Sequence, residues 1–173
     1  MKHSLPDWKH LIPENFSDNS RVWIYQSNRM FGFQEALQIE SILEDFVENW
    51  KSHGDEVHGY ASLIFGQFIV LIADESDTQV SGCSTDSSVR VIKEIETLFN
   101  VTLFDRLLLA YEHKGRIQML PMSQLNYALS NNYISESSLF FNNTVKTKKE
   151  LLESWILPVK ESWLNSRLSL DKA

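Results

Sequence analysis

The stretch Ser81-Gly-Cys-Ser-Thr-Asp-Ser-Ser88 holds the residue types best suited to chemistry. It leads from an apolar, strand-like run into a helix-like pattern. Small polar residues at such a junction expose backbone N–H groups and hydroxyls at the positive end of a helix dipole, where an anion is stabilised. Ser81, Gly82, Ser84 and Thr85 are therefore candidate ligand-binding residues, with Arg21 and Arg106, at the ends of predicted strands, as countercharge. A thiolate would be favoured in the same place, which makes Cys83 the candidate catalytic nucleophile of a cysteine-dependent enzyme. The same residues also read as an ordinary N-cap from Ser84, Thr85 or Asp86, with Cys83 as a small packed side chain.

Other constellations are weaker. His53-Gly-Asp-Glu-Val-His58 packs four metal-ligating types together, but Gly54 breaks the helix that a zinc-type spacing needs, and a solvated turn is the plainer reading. Asp74 and Glu75 could form an acid and base pair, yet adjacent residues on an extended chain point to opposite faces. None of the 6 glycines is followed by lysine, so the phosphate loop of P-loop ATPases is absent. Nothing calls for a cofactor or a metal.

The elements that must position these groups follow from periodicity. Arg21–Gln26 is β-branched and aromatic and predicts a strand; Ile39, Ile42, Leu43, Phe46, Val47 and Trp50 predict a helix over 34–52, with Gly32 as N-cap and Gly54 past its end. Strands are predicted over 57–65 and 67–74, turning at Gly66, with the second, apolar on both faces, in the centre. Val89, Ile92, Ile95 and Phe99 predict a helix over 86–100, and 106–112 with 116–120 a hairpin around His113-Lys-Gly115. This βαββαβ series predicts an α+β fold with a ferredoxin-like core and an antiparallel sheet. A C-terminal extension would end in one long helix, capped by Thr147 and Glu150, with Leu151, Trp155, Val159 and Trp163 on one face and a kink at Pro158. Residues 1–20 read as an arm, tacked down by Trp8, Leu11, Ile12 and Phe16, and 21–173 as a single domain. Trp23, Phe46, Trp50, Ile69, Leu71, Val89 and Ile92 are expected to share one core.

Composition bounds the rest. With 43% hydrophobic and 23% charged residues, the chain is neither disordered nor collagen-like, and its 1 cysteine excludes a disulfide scaffold. Residues 34–77 carry ten acids against Lys51, within a net charge of −7, which would repel nucleic acid. No apolar run approaches bilayer length, and Asp7, Lys9 and His10 interrupt any leader-like core. A cytoplasmic domain is expected, binding a small anion or a protein partner. A homodimer through the open edge 57–65 is a further expectation.

Val80-Ser-Gly-Cys-Ser84 shares two residues in register with the signature loop of ABC-type ATPases. Arg21–Gln26, Ser81–Val89, Leu103-Phe-Asp-Arg106, Phe141-Asn-Asn143, Trp155 and Trp163 together resemble a family of short uncharacterised bacterial proteins that often carry the label "ABC transporter ATPase". The resemblance spans about residues 20–168 and implies no activity and no catalytic residue.

Overall fold

A computed structural model describes residues 4–76 and 82–170, the side chains of 82–84 and 169–170 excepted. Strand β1 (Arg21–Gln26) is followed by helix α1 (Phe33–Glu48), the short strands β2 (Lys51–Ser52) and β3 (Asp55–Glu56), then β4 (His58–Ile64) and β5 (Phe68–Asp74). Helix α2 (Gly82–Phe99) precedes the hairpin β6 (Leu108–His113) and β7 (Arg116–Pro121). After these come α3 (Leu125–Ser130), β8 (Leu139–Phe141), α4 (Lys148–Ser154), β9 (Ile156–Pro158) and α5 (Leu164–Leu170).

The fold is α+β with antiparallel sheets. All residues of β5 are buried, as an apolar run requires when both faces are covered, and it pairs with β1 on one side and β4 on the other. The fourth strand of a ferredoxin-like sheet does not join them. β6 instead lies inside a second sheet of order β7-β6-β8-β9, so β1 is an edge strand and not a central one.

Burial explains the difference. Ala110 of β6 packs into the cluster that holds Val22, Ile24, Val70 and Ile72, while its neighbours Leu109 and Tyr111 pack with Leu125, Leu164 and Leu168. A strand that is apolar on both faces satisfies both by stacking its sheet on the first. The other face of the first sheet, through Tyr25, Ile69 and Leu71, meets Ile39 and Leu43 of α1 and Ile92 and Ile95 of α2. The layers thus run helices, sheet, sheet, helices.

Several local expectations change for physical reasons. α1 stops at Glu48, and Gly54 (φ +87°) serves the β2–β3 turn beside His53 (φ +51°), not the end of the helix. α2 starts at Gly82, four residues early, so the expected loop 81–88 is helical from its second residue, with Ser81 outside the described residues. Its buried stripe is Ser88, Val91, Ile92 and Ile95, with Val89 only half-buried. The Ser88 hydroxyl donates to the Thr85 carbonyl at 2.6 Å, which lets a polar residue occupy that face. Trp50 packs in a smaller cluster with Val57 and Ala73, bridged to the main one by Trp23 and Phe46.

The long terminal helix is not formed. Leu157, ahead of Pro158, is driven out of the helical region, and Ile156–Pro158 pairs with β8 instead. Trp8, Ile12 and Phe16 of the arm are buried, whereas Leu11 is exposed. The arm is also tied by the buried Lys148 ammonium, which donates to the Phe16 carbonyl at 2.7 Å and that of Glu14 at 3.2 Å. No helix among the described residues is long and apolar enough to cross a membrane.

Candidate functional site

The outer edge of β1 is where three distant segments converge. Val22 N–H donates to the Lys146 carbonyl at 2.9 Å, and Arg21 forms an isolated bridge to Thr147. In an antiparallel ladder alternate residues turn their backbone groups to the same side, so Ile24 faces that edge too. Beyond Val22 the segment 143–146 diverges and a cleft of about 500 Å3 opens. Arg21, Trp23, Tyr25, Arg106, Thr144 and Lys146 are among its walls.

Its electrostatics are one-sided. Arg21, Arg106 and Lys146 line the cleft and no carboxylate does among the described residues, in a chain of net charge −7. Arg21 sits 4.9 Å over the Trp23 ring and is partly occupied by Glu75 at 3.4 Å. Arg106 and Lys146 are exposed, and their side chains form no ion pair among the described residues. Burial pushes the Tyr25 phenol above its ordinary value, while the Ser88 side chain and the Arg106 charge pull the other way. It is a neutral donor near pH 7.

A second, smaller hollow of about 100 Å3 adjoins the first, sharing Ile24, Tyr25, Arg106, Asn143 and Thr144. Its remaining walls are mostly apolar, among them Leu109, Phe140 and Trp163. Asp105 also lines it, with one carboxylate oxygen accepting the Leu107 N–H at 2.9 Å. The buried Trp163 indole N–H has no partner among the described residues. Behind the shared wall runs a polar chain. Gln26 Nε2 donates to the Leu108 carbonyl at 2.8 Å, Asn143 Nδ2 donates to Gln26 Oε1 at 2.9 Å, and Trp155 Nε1 donates to Asn143 Oδ1 at 3.0 Å. This chain fixes Asn143 between the two sheets.

Arg21 and Arg106 line one cleft, but none of residues 85–88 does, so the two arginines are not countercharge to that described part of the loop. Thr85 lies in the first helical turns of α2, Gly82 and Cys83 begin it, and the side chains of Cys83 and Ser84 fall outside the described residues. Asp74 and Glu75 are structurally occupied: Asp74 accepts the Ser17 N–H at 3.0 Å and the Ser76 hydroxyl at 2.6 Å, and Glu75 meets Arg21. Segment 53–58 is a turn and strand pairing, and His58 stands 3.9 Å from Asp74. Lys146 and Thr144 carry no signal of their own in the sequence, and Asn143 enters only through the resemblance carried by Phe141-Asn-Asn143. Gln26, a polar residue ending an apolar strand, was the one available hint.

No histidine lines either hollow among the described residues, so the arrangement is suited to holding charge rather than to shuttling protons near neutrality. The chain matches no protein-family model, no curated protein and no solved structure.

Proposed function

We propose that this chain binds a small anionic ligand in the cleft along the outer edge of β1. One observation carries the reading: an acidic protein concentrates Arg21, Arg106 and Lys146, drawn from three separate segments, around a cleft without a described carboxylate. Guanidinium groups suit carboxylate or phosphate through paired hydrogen bonds, and a lysine adds a mobile charge. The test is thermal shift with phosphate, sulfate and acetate against matched chloride. At ligand a hundredfold above Kd the gain is about 2.7 kcal/mol, or roughly 5–10 °C for a chain of this size. Arg106→Ala with Lys146→Ala should abolish the shift, whereas Ser84→Ala with Asp86→Ala should leave it. The reverse pattern would move the site to the start of α2.

A second reading keeps Cys83 as a nucleophile, favoured by its position as the second residue of the 18-residue helix α2. Alkylation rate against pH tests it: a midpoint at the ordinary thiol value of about 8.5 would dismiss the enzyme.

A further inference from the structure

We propose that the ligand is a small monocyclic aromatic acid, its anionic head in the cationic cleft and its ring in the adjoining hollow. This rests on the anion-binding reading above and adds the chemistry of the uncharged end. Four observations point the same way. The two hollows share five wall residues, Arg106 among them, so one molecule can reach both. The inner hollow, at about 100 Å3, is smaller than the roughly 150 Å3 apolar cavity that admits benzene, so it takes no more than one ring, inserted in part with its substituted end left in the shared mouth. Phe104, Phe140 and Trp163 supply aromatic walls, against which a ring gains edge-to-face contacts.

The fourth observation concerns Trp163. Its indole N–H is buried without an acceptor among the described residues, and a buried donor in that state calls for a partner. A hydroxyl or carbonyl oxygen on the ring would supply it once the Trp163 side chain turns that N–H toward the hollow it lines. Asp105, at the wall of the inner hollow, excludes the reverse orientation, because an anion placed there would meet a carboxylate.

The experiment is calorimetric titration of the full chain with phosphate, acetate, phenylacetate, 4-hydroxyphenylacetate and the neutral phenylacetamide. Phenylacetate should bind at least tenfold more tightly than acetate and at least tenfold more tightly than phenylacetamide, with a further gain for the hydroxylated acid that Trp163→Phe removes. Leu108 lines the inner hollow and not the cationic cleft, so Leu108→Trp, which fills the hollow, should weaken phenylacetate at least tenfold and leave phosphate unchanged. If that variant does not fold, Trp163→Phe and the five-probe ranking decide alone. Equal affinities for acetate, phosphate and phenylacetate would overturn the aromatic ligand and leave the anion site standing. Equal affinities for phenylacetate and phenylacetamide, or no binding by any probe, would overturn both.

Discussion

The three-stranded sheet has two outer edges, and they are treated differently. Along β4, Glu40 of α1 reaches over to accept the Leu63 N–H at 2.8 Å and the Ser62 hydroxyl at 3.1 Å. One outward backbone donor is thereby taken by a carboxylate, which discourages a foreign strand. Along β1, the segment 143–147 covers only the first residues, side-chain amides hold the far end, and cations gather in the gap. An acid plugs one edge and an unfilled basic cleft marks the other. The contrast is why the proposed anion site is put at the edge whose closure the chain leaves unfinished.

The largest expected effect is on what holds the β1 edge in shape. Trp155 is fully buried, packs edge-on to Trp8 and Phe68, and ends the polar chain through Asn143. Trp155→Ala should cost about 3–5 kcal/mol in urea melts. A loss under 1 kcal/mol would mean that the segment 143–147 is held by something else. Next comes Gln26→Leu, which strands the Leu108 carbonyl and the Asn143 amide; on the order of 1–3 kcal/mol should be lost. A double-mutant cycle with Asn143→Ala should return a coupling of at least about 0.5 kcal/mol, and simple additivity would break the chain into independent contacts.

At the opposite edge Glu40→Ala should cost only about 1 kcal/mol but should promote pairing between copies. Light scattering would then report a mass rising above 20.1 kDa with concentration, where the native chain shows a smaller rise or none. Dimerisation of both alike would show that the carboxylate guards nothing.

The smallest effect is in acid. The Ser76 hydroxyl, aided by the backbone N–H groups of Ser17 and Ser76 and by His58, holds the Asp74 carboxyl below its ordinary value against the opposing pull of burial. A depressed folded value contributes stability that is complete above the unfolded value of about 3.9 and is lost as pH falls toward the folded one. Asp74→Asn should therefore flatten part of the stability loss below about pH 4 and lower stability near neutrality. Glu35, held down to about 2 chiefly by Arg29, has the same sign and should be compared by Glu35→Gln. An unchanged acid limb in Asp74→Asn would remove the arm's carboxylate contact from the account.

How much of this was legible depended on whether the cause was local. The apolar run Phe68–Asp74, the turn at Lys114 and Gly115, and the Gly32 and Glu35 start of α1 are determined by neighbours in sequence, and they appear as expected. In α2, Ile92 and Ile95 are buried as their spacing predicts, while Ser88 takes the buried place expected of Val89 because it hides its hydroxyl on its own helix. The second sheet was not legible because alternation along β6 says that both faces are buried without saying against what. The cleft was legible only in fragments. Arg21 and Arg106 stood out as charges at strand ends, but their convergence with Lys146 is a property of tertiary packing that no local pattern encodes.

The pairing of Val22 with Lys146 also sets an order of events during synthesis. β1 leaves the ribosome early, yet its lateral partner, and the Lys148 ammonium that ties the arm, are translated roughly ten seconds later at ordinary elongation rates. Throughout that interval the nascent chain presents β1 with its outer edge unpaired beside an apolar arm, even after β5 has joined its other side, a state in which a chaperone or a wrong neighbour can engage it. Ribosome-bound chains arrested before residue 140 should accordingly be cut within 4–26 by protease far faster than chains whose residue 148 has emerged.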